Sequence, residues 1–349
     1  MGFVRIAGMR RLKMNNLRKH ILHKTGILLC LLAVLGMIRA GTVPAFAEET
    51  PGEGPLQITV TIFAAYDWVL NILGDNPAGI HVKYLYAKGV DPHSFQPTAG
   101  DIVEISASDL FIYTGGESDD WVRDVIKEAV NPDLITLNLM EELEERLLEE
   151  ESVSRRGEGE DSEDGSGDEE PEYDEHIWLS PKNAVILCRG IEQAIIRKDP
   201  ENAAVYQANA DQYLSALEQL DQEIEDITER SRTKTLLFAD RFPFLYLTGD
   251  YGLDYYAAFD GCSAETEASF ETILFLIDKI DELALHTVLV IENADRKLAQ
   301  TIISNTKTRD QQILVLNSLQ SVSQEDLDSG NTYLSIMKEN ANVLKEALN

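Results

Sequence analysis

The sequence predicts an α/β chain of two lobes, each a mainly parallel sheet flanked by helices, joined by one long spine helix. Three observations carry this expectation. Strand-like runs alternate with helical periodicities through the first half of the chain, and such alternation places strands in parallel with helices over the sheet faces. The same theme restarts after about residue 233. Between the two lies the longest helical signal, opened by Asp199-Pro200-Glu201 and running to about Arg232, with Tyr206, Tyr213, Leu214, Leu217 and Leu220 on its apolar positions. At 1.5 Å per residue such a helix reaches on the order of 50 Å, longer than one small lobe is wide.

In order, Gln57 to Phe63 alternates and is β-rich, and a helical pattern begins at Asp67-Trp68-Val69-Leu70. Strands are expected at His81 to Leu85, Leu110 to Tyr113 and Leu134 to Asn138, with a helix from Trp121 to Ala129. Beyond the spine, strands are expected at Thr235 to Ala239, Tyr255 to Phe259, Thr287 to Ile291 and Gln312 to Leu316. Helices are expected at Phe270 to Leu283, Lys297 to Ser304 and Tyr333 to Leu348. The expected organisation is a signal peptide over 1–47, an N-terminal lobe over 48–181, a helical linker with the spine over 182–232, and a C-terminal lobe over 233–349. Strand ends of facing lobes define a cleft, where open α/β sheets bind ligands.

Charge bounds the function. The first 47 residues carry eight basic and no acidic side chains, so the rest holds 22 Lys and Arg against 61 Asp and Glu, a net charge of −39. Nucleic acid is not expected as a partner. The apolar run Thr25 to Ile38, preceded by Arg18, Lys19 and Lys24 and followed by Ala45-Phe46-Ala47, reads as an export signal too short for a comfortable membrane span. Secretion across the cytoplasmic membrane to the cell envelope follows. Cys30 comes after Leu29, where a lipobox has a small residue, which argues against a lipid anchor there. A start at Met14 would give a basic region of more usual length. In an oxidising compartment Cys188 and Cys262 could form a disulfide or remain two buried thiols; the spacing leaves both open.

From Leu143 to Glu172 the periodicity collapses into acidic and glycine residues, and residues 141–175 hold 18 acids and three arginines. Such a run cannot bury enough apolar area to offset its ordering entropy, so a disordered acidic insertion is expected over about 150–172.

Directly after it comes Asp174-Glu175-His176-Ile177-Trp178-Leu179-Ser180-Pro181. A histidine between carboxylates and an apolar run can be gripped by packing while one ring edge stays polar, which is how a metal ligand is mounted. His93 sits in Gly89-Val90-Asp91-Pro92-His93-Ser94-Phe95-Gln96-Pro97-Thr98, where two prolines and Asp91 make a stiff turn. His81 and His286 lie in or beside strand patterns and read as structural, and His20 and His23 fall in the signal region.

Together these two motifs resemble the histidine motifs of the metal-binding solute-binding proteins of bacterial ABC importers, the ZnuA/TroA-like cluster that delivers zinc or manganese. The resemblance covers about residues 56 to 348, including the acidic insertion and the spine helix. It implies that His93 and His176 bind the metal from the first lobe. In the second lobe the third ligand position of many members, His or Glu after a strand, falls on Ala239 of Leu237-Phe238-Ala239-Asp240-Arg241-Phe242-Pro243-Phe244, making Asp240 the nearest replacement. Asp240 could equally cap the following helix or pair with Arg241. The aspartate of the manganese members corresponds to Asp295 in Val290-Ile291-Glu292-Asn293-Ala294-Asp295-Arg296-Lys297, with Glu292 the alternative and a helix N-cap the structural reading. Glu267 matches a loop lining the cleft and is expected to orient a histidine or cap a helix.

Two imidazoles and two carboxylates would neutralise a divalent cation and suit zinc or manganese. A closed four-ligand shell leaves no position to activate water, so the resemblance implies transport without turnover. The implied partners are the metal ion and a membrane permease of an ABC transporter, the protein acting as a monomer with zinc as cargo. The alternatives are a manganese-specific protein, a surface adhesin, and a secreted metallohydrolase with Glu267 as general base. The last lacks a His-Glu-x-x-His or comparable spacing.

Overall fold

The computed structural model describes residues 55–87, 89–150, 172–261, 263 and 268–349. The expected signal peptide, Cys262, Glu267 and nearly all of the acidic insertion lie outside the described residues. Among the described residues no helix is long and apolar enough to cross a membrane.

Two four-stranded sheets organise the chain, and every strand pair in them is parallel. The first contains β1 (Gln57–Val60), β2 (His81–Tyr84), β3 (Leu110–Tyr113) and β4 (Ile135–Asn138), in the order β2-β1-β3-β4. The second contains β5 (Thr235–Phe242), β6 (Asp254–Asp260), β7 (Thr287–Val290) and β8 (Gln312–Val315), in the order β6-β5-β7-β8. The two orders are the same pattern repeated. In each, the first strand lies at the switch point, with its successor on one side and the remaining strands on the other. Loops leaving the carboxyl ends of the strands gather there.

Helices α1 (Phe63–Leu73), α2 (Ala99–Ala107), α3 (Val122–Lys127) and α4 (Pro181–Lys198) accompany the first sheet, and α6 (Leu245–Asp250), α7 (Phe270–Leu283), α8 (Lys297–Asn305), α9 (Gln324–Asp328) and α10 (Tyr333–Ala347) the second. Between them runs α5 (Ala203–Arg230), 28 residues long, or about 42 Å at the usual rise. It is shorter than the sequence pattern suggests because residues Pro200–Asn202 form a separate 3-10 turn. Along α5, Tyr206, Tyr213, Leu217, Leu220 and Ile224 are buried at helical spacing. Tyr213 donates its hydroxyl to Asp67 of α1 at 3.0 Å.

One buried apolar cluster extends from Ile58 and Val60 in the first sheet through α5 to Phe238 and Leu289 in the second and on to Leu344 of α10. Smaller clusters cover the far face of each sheet, around Ile105 and Phe111 in the first and around Val288 and Ile302 in the second. The halves therefore share a core, and apolar area removed from water contributes about 25 cal/mol per Å².

Cross-links of polar groups add to this core. Trp178 donates its indole N–H to the Ser318 carbonyl at 2.9 Å, and Tyr333 donates its hydroxyl to the Trp178 carbonyl at 2.7 Å. Tyr84 donates to the Val322 carbonyl at 3.0 Å. Each ties the first-sheet half to the segment that follows β8.

Two strands differ from expectation by three residues at their carboxyl ends: β1 stops at Val60, with α1 starting at Phe63 rather than at Asp67, and β5 runs on. It continues through Asp240, Arg241 and Phe242 rather than stopping at Ala239, and its register against β6 shifts between Phe238 and Arg241. Such an irregularity re-aims side chains at a strand end. Cys188 is a buried free thiol on α4.

Candidate metal centre

His93 is held by its own turn. Pro92–Ser94 form a 3-10 turn whose N-cap is Asp91, and Asp91 Oδ1 accepts the His93 backbone N–H at 3.1 Å. The ring Nδ1 lies 2.8 Å from Ser118 Oγ and 3.7 Å from Glu175 Oε2, leaving Nε2 to point inward.

His176 is held by packing. Its side chain has no exposed surface, and its ring meets the Trp178 ring edge-on at 5.4 Å between centroids. Asp174 Oδ1 accepts its backbone N–H at 2.8 Å and faces its Nδ1 at 3.2 Å. Because a carboxylate only accepts, it fixes the proton on Nδ1 and frees the Nε2 lone pair. Ser180 then caps α4, accepting the Asn183 N–H at 3.0 Å, with Pro181 at the first helical position.

Two glycines make room. Gly116 has φ +76°, where a side chain is strained, and a Cβ there would lie 2.5 Å from Glu175 Oε1. Glu175 uses that space to accept the Ser118 N–H at 2.8 Å, which steadies the partner of His93. At Gly261 a Cβ would stand 3.2 Å from His176 Cε1 and 2.8 Å from the Phe242 carbonyl oxygen.

The Nε2 atoms of His93 and His176 are 3.2 Å apart. Two nitrogens bound to one zinc at 2.0–2.1 Å with tetrahedral angles stand about 3.3 Å apart, so the pair is set for one cation. A third side chain joins them. Gln320, in the loop after β8, places its amide nitrogen 2.6 Å from His176 Nε2 and 3.1 Å from His93 Nε2. Behind it, Glu292 accepts from the Ser318 backbone N–H and from the Ser318 hydroxyl, both at 2.7 Å, and Ser318 Oγ is 3.1 Å from Gln320 Oε1. A cleft of about 690 Å³ adjoins His93, lined also by Ser118, Met140, Glu150, Glu172 and Glu175.

The electrostatics set the two rings apart. Burial, the neighbouring His176 and the Arg241 charge push His93 down to about 4 against the pull of Asp91. Burial also opposes charge on His176, but the charge and hydrogen bond of Asp174, with Glu175 behind, outweigh it and raise the pKa. Burial raises Glu175 as well, opposed by its Ser118 bonds.

The two aspartates expected from the second lobe do not join the histidines. Among the described residues no third His, Cys, Asp or Glu completes a cluster with them. Because β5 runs on past Asp240, that carboxylate sits at the strand irregularity, accepting the Arg241 N–H at 2.9 Å and the Ile291 N–H at 3.1 Å. It neither caps a helix nor pairs with the Arg241 side chain. Asp295 is 63% exposed and pairs with Lys297, accepting its N–H at 3.0 Å and its ammonium at 2.6 Å. Arg296, with φ +58°, is the N-cap residue of α8, and the turn carries Asp295 outward. Glu292 is occupied by Ser318. His81 and His286 are exposed.

Sequence reasoning missed Gln320 and Arg241. No spacing rule singles out a glutamine between Leu319 and Ser321. Arg241 was visible only as a neighbour of Asp240, and its partner, Asp91 at 2.9 Å, is distant in sequence.

Two repeated parallel sheets, one long helix between them and two convergent imidazoles at the strand ends define an α/β solute-binding protein of the metal-binding class. A profile of the family described as zinc-uptake complex component A, periplasmic, matches residues 58–347, and the chain belongs to that family. It is similar to the zinc-binding lipoprotein AdcA of Streptococcus pneumoniae, 26% identical over 323 residues, covering 93% of this chain and 60% of that protein. It is 28% identical over 293 residues to the high-affinity zinc uptake system protein ZnuA of Bacillus subtilis, covering 84% and 88% of the two chains. The crystal structure of the Zn(II)-bound ZnuA-like domain of pneumococcal AdcA superposes with a TM-score of 0.65 at 25% identity, covering 84% of this chain and 99% of that one. The chain thus spans about 60% of the length of the pneumococcal AdcA protein and 57% of a Streptococcus pyogenes AdcA.

Proposed function

We propose that this protein captures a divalent transition metal, zinc foremost, outside the cytoplasmic membrane and passes it to the permease of an ABC importer, with His93 and His176 as its nitrogen ligands. The observation that carries the reading is the 3.2 Å approach of two Nε2 atoms, with His176 fixed by a carboxylate and His93 by a hydroxyl on the opposite ring edge. Neutral imidazole nitrogen suits zinc better than it suits magnesium or calcium, and carboxylates behind a ring raise its basicity as a ligand. The zinc-binding names of AdcA and ZnuA point the same way. Manganese remains an alternative cargo. A binding protein needs no general base, and the carboxylates nearest the rings are engaged in orienting them.

The test is native mass spectrometry with elemental analysis of the protein purified from its own cell envelope without added metal. One zinc per chain is expected, and deletion of the gene should slow growth in zinc-depleted medium with rescue by added zinc. A metal-free protein that fails to take up zinc or manganese at micromolar concentration, together with normal growth of the deletion strain, contradicts the reading.

A further inference from the structure

We infer that Gln320 is a ligand of the captured cation, presenting its carboxamide oxygen to the point on which His93 Nε2 and His176 Nε2 converge. The inference rests on the reading of those histidines as metal ligands and extends it to a third donor from the other sheet. Gln320 is 4% exposed. Its amide nitrogen lies 3.1 Å from His93 Nε2 and 2.6 Å from His176 Nε2, so its terminal group borders the point on which the two nitrogens converge, and a small withdrawal from His176 brings it to the separation of two ligands on one zinc.

With a cation held between the imidazoles, hydrogen-bond accounting favours the oxygen end of the amide there. Ser318 Oγ is 2.7 Å from Glu292 Oε1 and 3.1 Å from Gln320 Oε1. One hydroxyl proton cannot serve both oxygens, and the charged carboxylate is the stronger acceptor. Gln320 Oε1 is then left facing a lone pair. A half-turn of the carboxamide exchanges its two ends within the same volume, about a terminal torsion that is broad and two-fold. The NH₂ group then donates to Ser318 Oγ, Ser318 donates to Glu292, and Oε1 faces the two Nε2 lone pairs with a cation between them. Glu292 polarises the amide oxygen through Ser318 without touching the metal.

The loop is built to hold that position. Its Ser318 carbonyl accepts the Trp178 indole N–H, two residues from His176, and its Val322 carbonyl accepts the Tyr84 hydroxyl. Gln320 is thereby carried on the second half of the chain yet fixed relative to both histidines of the first. Two nitrogens and a neutral oxygen leave the charge of the cation to the surrounding carboxylates. A carboxylate in place of the amide should therefore bind more tightly, and an apolar side chain of similar bulk more weakly.

The experiment compares chelator-stripped wild-type protein with Gln320→Leu, Gln320→Ala and Gln320→Glu, using zinc in chelator-competition titrations and cobalt(II) absorption to report the donor set. Circular dichroism of each metal-free variant monitors folding. A tenfold or greater loss of zinc affinity in Gln320→Leu, a changed cobalt d–d spectrum, and affinity at or above wild type in Gln320→Glu are expected. Gln320→Leu binding zinc within twofold of wild type with the wild-type cobalt spectrum would overturn the inference, leaving the glutamine as filler. So would a tenfold loss in folded Gln320→Glu. Failure of the wild-type protein to bind zinc at all would overturn the histidine reading itself, and is seen before any variant is measured.

Discussion

Asp91 joins the two halves of the chain at the base of His93: one carboxylate oxygen accepts the His93 N–H at 3.1 Å and the other pairs with Arg241 Nη1 of β5 at 2.9 Å. The Arg241 charge and hydrogen bond overcome the burial that would raise Asp91 and hold its pKa below the usual range. Both side chains are about a quarter exposed, so the pair is partly screened. Asp91→Ala should lose the cap of the turn and strand the guanidinium, costing about 1–2 kcal/mol of stability. Zinc affinity should fall with it, because His93 loses its anchor beside an unpaired positive charge. Denaturant melts and zinc titration of the variant check both effects, and wild-type affinity would show that the turn is stiff without its cap.

The pH dependence of the metal-free protein should carry the sign of His93. Its folded pKa, about 4, lies below the unfolded value of about 6.5. The unfolded chain therefore binds the proton first, and stability is lost as pH falls from 6.5 toward 4. His176, with a raised folded pKa, has the opposite sign. Its contribution is complete below pH 6.5 and is lost as pH rises through its folded value. Relative to wild type, His93→Gln should thus gain stability progressively as pH falls from 6.5 to 4. A difference that stays constant across that window would contradict the assignment.

Gly116→Ala places a side chain at φ +76° and against Glu175. The backbone cost is about 1 kcal/mol, and Glu175 must leave the Ser118 N–H. Zinc affinity should drop several-fold, since Ser118 is the Nδ1 partner of His93. Unchanged affinity with lowered melting temperature would limit Gly116 to a structural role.

The two second-lobe aspartates should separate cleanly. Asp295→Ala is expected to leave zinc affinity and melting temperature at wild-type values, because an exposed pair with a neighbouring lysine contributes little. Asp240→Ala should lower stability by about 1–2 kcal/mol by stranding the Ile291 N–H at the end of β7. Loss of zinc binding in Asp295→Ala with an intact fold would restore it as a ligand.

Much of the architecture was legible because strand and helix periods are local. Leu110 to Tyr113 and Phe270 to Leu283 fall where the patterns place them, and His93 and His176 announce themselves through stiff or apolar flanks. The second half of the site was not legible for a physical reason. Whether Asp240 reaches the histidines depends on where β5 stops, and β5 is extended by pairing with β6 through Asp260, a contact no local pattern encodes. Asp295 is turned outward by a left-handed residue at Arg296, which side-chain chemistry does not announce. Gln320 approaches the imidazoles on a loop held by contacts distant in sequence, the Trp178 and Tyr84 bonds to its carbonyls and the Glu292 bonds to Ser318.

The most direct measurement is calorimetric titration of zinc into chelator-stripped wild type, His93→Ala and His176→Ala at neutral pH. Each imidazole supplies a nitrogen that no neighbouring side chain can replace, so each variant should lose at least about a hundredfold in affinity, or about 2.7 kcal/mol, while keeping the wild-type circular dichroism. Wild-type affinity and stoichiometry in folded His176→Ala would contradict the account at its centre.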